Sequence, residues 1–305
     1  MKKKLIVIAG PTGVGKTDIS IKLAKRIGGS IVSADSMQVY KEMDIGSAKI
    51  TREEMEGIEH HLIDVLEPTE DFNVCRFKDM ADAAISDIYE SGKIPILVGG
   101  TGFYIQSVLY DIDFDETDEG GEIRAGLERL ATDEGADSLW RRLSEVDPES
   151  ADAIHPNNVK RVIRALEFFE LTGKKISEHN RRERAKESPF EYRYFVLNDE
   201  RSRLYERIDA RVDKMIRLGL VDEVRSLKSR GVTRKMTSMQ GLGYKEIFSY
   251  LEGEISLERA IYLIKRDTRH FAKRQLTWFK RERDVIWLDK SELSEEEMLE
   301  RMLSL

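Results

Sequence analysis

The segment Leu5-Ile6-Val7-Ile8-Ala9-Gly10-Pro11-Thr12-Gly13-Val14-Gly15-Lys16-Thr17 decides the fold of this 305-residue chain. Five apolar residues read as a buried strand, and the next eight complete a G-x-x-x-x-G-K-T phosphate loop that opens a helix. Backbone N–H groups of Gly10, Thr12, Gly13, Val14 and Gly15 turn toward phosphate oxygens in such a loop, with Pro11 shaping its start. Lys16 supplies positive charge, the Thr17 hydroxyl can ligate Mg²⁺, and the helix start adds the positive end of its dipole. The loop therefore holds a polyphosphate, without saying which one or what becomes of it.

Outward from this segment, the first half of the chain alternates strand and helix. Strands are expected at residues 5–9, 30–34, 61–65 and 94–98, and helices at 17–27 and 73–91. That alternation predicts an α/β fold, a parallel sheet with helices on both faces. Ligands bind such sheets at the carboxyl ends of the strands, so the loops after Ala9, Ala34 and Val98 should face one crevice. Residues 111–122 are acidic and glycine-containing and read as a connector. Helices at 122–146, 148–154 and 159–171 and a basic segment to Lys186 follow. The expected division is a catalytic core of residues 1–115 and 190–305 around a small helical insertion of 116–189. A strand at 192–197 returns to the sheet, helices run over 202–218 and 220–229, and a long helix over 254–283 has an apolar stripe from Leu257 to Phe279.

Composition narrows the function classes. With 40 % hydrophobic and 35 % charged residues the chain reads as globular and helix-rich. It has no apolar run of about 18 residues, and Met1-Lys2-Lys3-Lys4 leads directly into the first strand, so a membrane partner is not expected and the cytoplasm is the expected compartment. The only cysteine is Cys75 and the five histidines are scattered, which excludes an internal disulfide and a Cys-based zinc site. The net charge of −7 argues against nucleic acid, but its distribution argues the other way. Residues 157–186 hold nine Lys/Arg against four Asp/Glu, and residues 259–283 hold nine against two. Two dense basic segments in an acidic chain are the footprint expected of a nucleic-acid face, with solvated helix faces as the competing reading.

The candidate chemistry sits at the strand ends. Asp35, in Ser33-Ala34-Asp35-Ser36-Met37-Gln38-Val39-Tyr40, ends the strand expected beside the phosphate loop, which favours a catalytic role over that of a turn acceptor. Asp64 in His60-His61-Leu62-Ile63-Asp64 is the competing acid. Gly99-Gly100-Thr101-Gly102-Phe103-Tyr104 brings one hydroxyl and two rings to the crevice, and Thr101 can hold an acceptor substrate. Arg217, just before Gly219, could reach the phosphates or stay an exposed helical arginine. A transferase, a small-molecule or nucleoside kinase and a nucleotide-switched RNA-binding protein can all use a phosphate loop. Asp35, Thr101 and the basic segments separate them.

Taken together, residues 10–17, 34–40, 60–64, 99–104, 147–167 with Asn157 and Arg164-Ala165-Leu166-Glu167, 241–245 and 272–279 resemble the tRNA dimethylallyltransferase family. The resemblance spans almost the whole chain. It implies transfer of a dimethylallyl group from dimethylallyl diphosphate to N6 of the adenosine 3′ of the anticodon, with Mg²⁺ as cofactor and the tRNA anticodon stem-loop as partner. A monomer is expected, although the sequence leaves the oligomeric state open. It assigns the diphosphate to residues 10–17, the general base to Asp35 and the positioning of the amine to Thr101. Contacts to tRNA carry over to Asp35-Ser36-Met37-Gln38, Thr101, Arg124, Lys160-Arg161-Val162-Ile163-Arg164, Gln240-Gly241-Leu242-Gly243-Tyr244-Lys245 and Lys273-Arg274-Gln275. Phe72-Asn73-Val74-Cys75 departs from the family pattern at the wall of the prenyl pocket, and Val159-Lys160 replaces a more polar pair.

Overall fold

The computed structural model describes residues 2–114 and 121–304. Its sheet has six strands, all parallel, in the order β3-β2-β4-β1-β5-β6. These are β1 (Lys3–Ala9), β2 (Gly29–Ala34), β3 (His60–His61), β4 (Ile94–Gly99), β5 (Phe190–Asn198) and β6 (Val285–Asp289). The buried stretches of the inner strands β1, β4 and β5 are mostly apolar, as strands covered on both faces must be. Leu5, Val7, Ile8 and Ala9 of β1 are fully buried, as are Tyr194, Phe195, Val196 and Leu197 of β5.

The covering helices of the core are α1 (Lys16–Ile27), α2 (Val74–Glu90), α3 (Gly102–Leu109), α9 (Arg201–Leu218), α10 (Leu220–Ser229), α11 (Tyr244–Leu251), α12 (Leu257–Phe279) and α13 (Glu295–Leu303). One core cluster joins Ile8 and Phe195 of the sheet to Leu23 of α1, Ile208 of α9, Ala272 of α12 and Met298 of α13. The remaining helices are α4 (Glu122–Glu134), α5 (Ala136–Val146), α6 (Pro148–Ala153), α7 (Val159–Thr172) and α8 (Ile176–Ala185). They pack around Leu127, Leu139, Leu143, Val162, Ile163 and Leu166. Two compact units result, residues 1–109 with 189–305, and residues 110–188. The expected boundary between 115 and 116 falls among residues 115–120, outside the described residues, and the division lies at 109/110.

Several expected elements differ. The expected helix 122–146 is two helices, because Gly135 at φ 88° ends α4 and starts α5. The expected strand 61–65 pairs only at His60–His61. Beyond it Leu62 and Asp64 adopt left-handed backbone, and the N–H groups of Asp64 and Val65 bond Gln38 O and Val39 O instead of continuing the ladder. Strand β6 and helix α13 have no counterpart among the expected elements. The Ser294 hydroxyl and the Glu297 carboxylate cap one another's N–H groups at the start of α13, a capping box written openly as Ser294-Glu295-Glu296-Glu297.

Candidate active site

Register places the three loops together. Ala9 of β1 pairs with Gly99 of β4, and Gly99 pairs with Ala34 of β2. The chain therefore leaves three adjacent strands at one level, separated by single inter-strand spacings of about 4.8 Å. The phosphate loop after β1 keeps its shape through Gly13 at φ 80° and Gly15 at φ 92°, values that L side chains rarely adopt. Gly15 is also the residue from which α1 starts.

Lys16 folds its ammonium onto the loop's own carbonyls, donating to Gly10 O at 2.9 Å and Pro11 O at 3.0 Å. Burial lowers its pKa to about 8; the Asp35 carboxylate pulls it upward and the Arg211 guanidinium pushes it further down. Arg211, on α9, is likewise held below the ordinary arginine value by burial, opposed by Asp35. Lys16, Asp35 and Arg211 thus feel one another at the crevice. Arg217 lies exposed in the last turn of α9, and it is Arg211 that faces Asp35. The helical period pointed there, since Leu204, Ile208 and Val212 form the buried face of α9 and Arg211 adjoins it.

Asp35 does two jobs. Its Oδ1 accepts from Met37 N–H at 2.8 Å and more weakly from Gln38 N–H at 3.4 Å, which sets the turn after β2. Oδ2 has no protein hydrogen-bond partner among the described residues. Gln38 in turn is anchored through its side-chain amide to Ala48 O at 3.3 Å. Asp64 is committed elsewhere, paired with the ammonium of Lys49. Thr101 caps α3 by its carbonyl, which accepts from Tyr104 N–H and Ile105 N–H. Beside them stands an aromatic wall. Phe72 meets Tyr40, Phe77 and Tyr104 edge-on at 5.8 to 6.4 Å, and Tyr104 stacks on Phe77 at 4.5 Å. Burial, with Asp35 and Cys75 adding to it, raises the Tyr104 phenol to about 12, so it stays a neutral donor.

The residues carried over as tRNA contacts divide by exposure. On α12, Lys273 and Arg274 are exposed and make no ion pair among the described residues. With His270, Thr277, Trp278 and Arg281 they line an open groove of about 380 Å³. Nearby in sequence, Gln275 is buried and its amide is used within the protein. Gly241 lies against Met37, so close that a Cβ on it would stand 2.6 Å from the Met37 sulfur. Gln240 is exposed, whereas Tyr244 is fully buried and donates to Glu223 at 2.7 Å. That same Glu223 carboxylate accepts from the N–H groups of Asp44, Ile45 and Gly46. Leu242, Gly243 and Lys245 complete this turn, Lys245 pairing with Glu246 at 3.4 Å.

In the helical unit Lys160 and Arg161 are exposed. Val162 and Ile163 are core residues of that unit, so their side chains offer nothing to a partner. Arg124 is bidentate on Glu167 at 3.0 and 3.1 Å, and Arg164 reaches the same carboxylate at 3.1 Å. Thr17, at the start of α1, is exposed. No group of three or more His, Cys, Asp or Glu among the described residues is arranged to hold a metal ion. A Mg²⁺ ion carried by a ligand's phosphates needs only one or two protein oxygens, and the exposed Thr17 hydroxyl is one that this loop offers. No helix among the described residues is long and apolar enough to cross a membrane.

Known proteins share this arrangement. The family model described as IPP transferase matches residues 38–282, and that described as isopentenyl transferase matches residues 3–70. The tRNA dimethylallyltransferase of Lachnoclostridium phytofermentans is 63 % identical over 288 residues, 94 % of this chain and 92 % of that protein. The full-length tRNA isopentenylpyrophosphate transferase of Bacillus halodurans superposes with a TM-score of 0.75 at 44 % identity, covering 99 % of this chain and 95 % of that one. A eukaryotic dimethylallyltransferase acting on tRNA superposes with a TM-score of 0.81 at 34 % identity, over 99 % of this chain and 78 % of its own. With a family match that runs through both units and relatives this similar along nearly the whole length, the chain belongs to the IPP transferase family, the tRNA dimethylallyltransferases.

Proposed function

We propose that the protein transfers a dimethylallyl group from dimethylallyl diphosphate to N6 of the adenosine 3′-adjacent to the anticodon of tRNA. The observation that carries this reading is the free Oδ2 of Asp35 in the crevice that also holds Lys16 and Arg211. An exocyclic adenine amine is a poor nucleophile, and it must shed a proton as it attacks the allylic carbon. As the C–N bond forms, the C–O bond to the diphosphate breaks and the proton passes to Asp35 Oδ2. The Thr101 hydroxyl orients the amine.

Charge gathers on the departing diphosphate, where the loop N–H groups, Lys16 and Arg211 meet it. Mg²⁺ held by those phosphates and the Thr17 hydroxyl would supply further charge neutralisation. The partly exposed ring of Tyr104, backed by the buried rings of Phe72 and Phe77, gives the prenyl chain an apolar, electron-rich surface suited to an allylic carbon that turns cationic. A base stacked in the anticodon loop cannot enter this crevice, so the adenosine is flipped out, at a cost of roughly a few kcal/mol offset by protein contacts. Lys273 and Arg274 on α12, and Lys160 and Arg161 on α7, are the exposed cations we assign to the tRNA backbone. We place the enzyme in the cytoplasm, as a monomer. Mass spectrometry of tRNA after incubation with dimethylallyl diphosphate tests the reading, with ATP as the parallel arm. The adenosine beside the anticodon should gain the mass of one dimethylallyl group less the hydrogen it replaces. Phosphate transfer from ATP with unmodified tRNA would give the crevice to a kinase.

A further inference from the structure

Gln275 sits on the helix that carries Lys273 and Arg274, yet it is only 6 % exposed. Its Oε1 accepts from Thr12 N–H at 2.9 Å and its Nε2 donates to Gly100 O at 2.9 Å. The partners fix this orientation, because a backbone N–H can only donate and a carbonyl can only accept. One amide therefore joins the phosphate loop after β1 to the loop after β4. The approach is close enough that a Cβ on Gly100 would stand 2.2 Å from Nε2, so residue 100 has to be glycine for the bridge to form.

Both bonded groups are informative. The Thr12 N–H belongs to the phosphate loop but points to Gln275, so it is withdrawn from the set of groups facing an anion. Gly100 O belongs to the peptide unit that continues into Thr101, so its hydrogen bond fixes the plane from which the Thr101 side chain projects. We propose that Gln275 is a positioning residue: it clamps the loop that holds the leaving group to the loop that holds the nucleophile, from the helix that bears exposed cations. The inference rests on the assignment of diphosphate to residues 10–17 and of the amine to Thr101.

The test compares Gln275→Met, which keeps the shape and loses both bonds, and Gln275→Glu, which loses the donor to Gly100 at neutral pH, with Lys273→Ala/Arg274→Ala. Single-turnover prenylation at saturating tRNA and dimethylallyl diphosphate should fall about 10- to 100-fold in both Gln275 variants, the penalty expected for reactants held slightly out of place. Affinity for tRNA and its salt dependence should stay as in the parent in both Gln275 variants, whereas the Lys273/Arg274 variant should lose salt-dependent tRNA affinity. Amide hydrogen exchange of the unaltered protein supplies a reading independent of any variant: Thr12 N–H should be protected, and Gln275→Met should release it. A folded Gln275→Met with a parental rate overturns the proposal, and so does a flattened salt slope, which would make Gln275 a tRNA contact. Should Gln275→Met not fold, Gln275→Glu decides by the same rate, and fast exchange of Thr12 N–H in the parent overturns the clamp by itself. An unaltered protein that leaves tRNA unprenylated defeats the functional reading instead, a result separate from the state of the Thr12 amide.

Discussion

The crevice at the carboxyl end of the sheet and the basic helices both carry concentrated charge, and they use it in opposite ways. In the crevice the charges are few and partly stripped of water, and Asp35 lies close enough to act on the proton affinity of both Lys16 and Arg211. On α7 and α12 the cations Lys160, Arg161, Lys273 and Arg274 are exposed. Charge in a shielded site acts strongly and is little screened, while exposed charge acts weakly, additively and in a salt-dependent way. Cations on one helix differ among themselves as well. On α12, Lys273 and Arg274 make no ion pair among the described residues, whereas Lys265 and Arg269 are paired with Asp213 and Asp209; on α7, Lys160 and Arg161 are exposed, whereas Arg164 joins Arg124 on the buried carboxylate of Glu167. The density of Lys and Arg in sequence thus conceals unequal availability.

The largest effect expected of this contrast is at Asp35. Asp35→Asn should bind both substrates and lose about 100- to 10,000-fold in the single-turnover rate, the usual range for a general base. A near-parent rate would remove the carboxylate from the chemistry and leave Asp35 as the acceptor of its turn. Next comes Lys16→Ala, which should cost about 100- to 1000-fold through weaker stabilisation of the leaving group. Its tRNA affinity, read by filter binding, should be untouched; a drop there equal to the drop in turnover would erase the distinction between crevice and helices.

The crevice should also show a pH response that the helices lack. Lys16 binds an anion as the ammonium, and its proton leaves as pH rises through about 8. Donor affinity should therefore be level below that pH and fall about tenfold per pH unit above it, since one pKa unit is worth about 1.36 kcal/mol. Titration of dimethylallyl diphosphate binding from about pH 6.5 to about pH 9.5 checks this, and Lys16→Arg should flatten the decline because its guanidinium stays charged.

Smaller effects separate exposed cations from paired ones. Replacing Lys273 and Arg274 by alanine should lower the slope of log affinity against log salt by roughly one unit or somewhat less for each phosphate that the protein no longer neutralises. Arg124→Ala should barely move that slope. Instead it should destabilise the helical unit by about 1–2 kcal/mol, because Glu167 is deprived of a bidentate partner while remaining buried. Salt titrations beside thermal melts of both variants read the difference, and identical salt responses would show that pairing with Glu167 does not withhold Arg124.

How much of this was legible in the sequence depended on distance along the chain. The phosphate loop needs only its own residues and the elements on either side, so strand, turn and helix all fell where the motif put them. The placement of Asp35 and Thr101 just past adjacent strand ends was legible for the same reason, each following an apolar run. Arg211 was half legible: the buried face of α9 passes beside it, yet proximity to a helix-ending glycine drew attention to Arg217. Gln275 was not legible as an internal residue. Apolar periodicity assigns the interior of α12 to hydrophobic positions, whereas the buried set is Ala260, Ile264, Ala272, Gln275 and Phe279. A polar side chain can take such a position only when remote backbone groups satisfy both of its ends, and helical spacing carries no trace of them. Strand β6 was hidden by brevity: it has five residues at the sheet edge, follows the charged Arg281-Glu282-Arg283-Asp284 and keeps Trp287 partly exposed.

The bridge from Gln275 to Thr12 has a consequence for the order in which the protein is made. A ribosome emits the phosphate-loop motif long before the side chain that fixes the Thr12 amide, which is 263 residues further on. Synthesis proceeds at about 5–20 residues per second, so the interval is on the order of ten seconds or more. Throughout it the nascent chain carries the signature of a phosphate site in which one amide is still unassigned. The parallel sheet shares the delay, because β1 waits for β5 at residue 190 before its second edge is covered. Maturation of the most locally encoded element in the chain is therefore a late event, completed as α12 arrives.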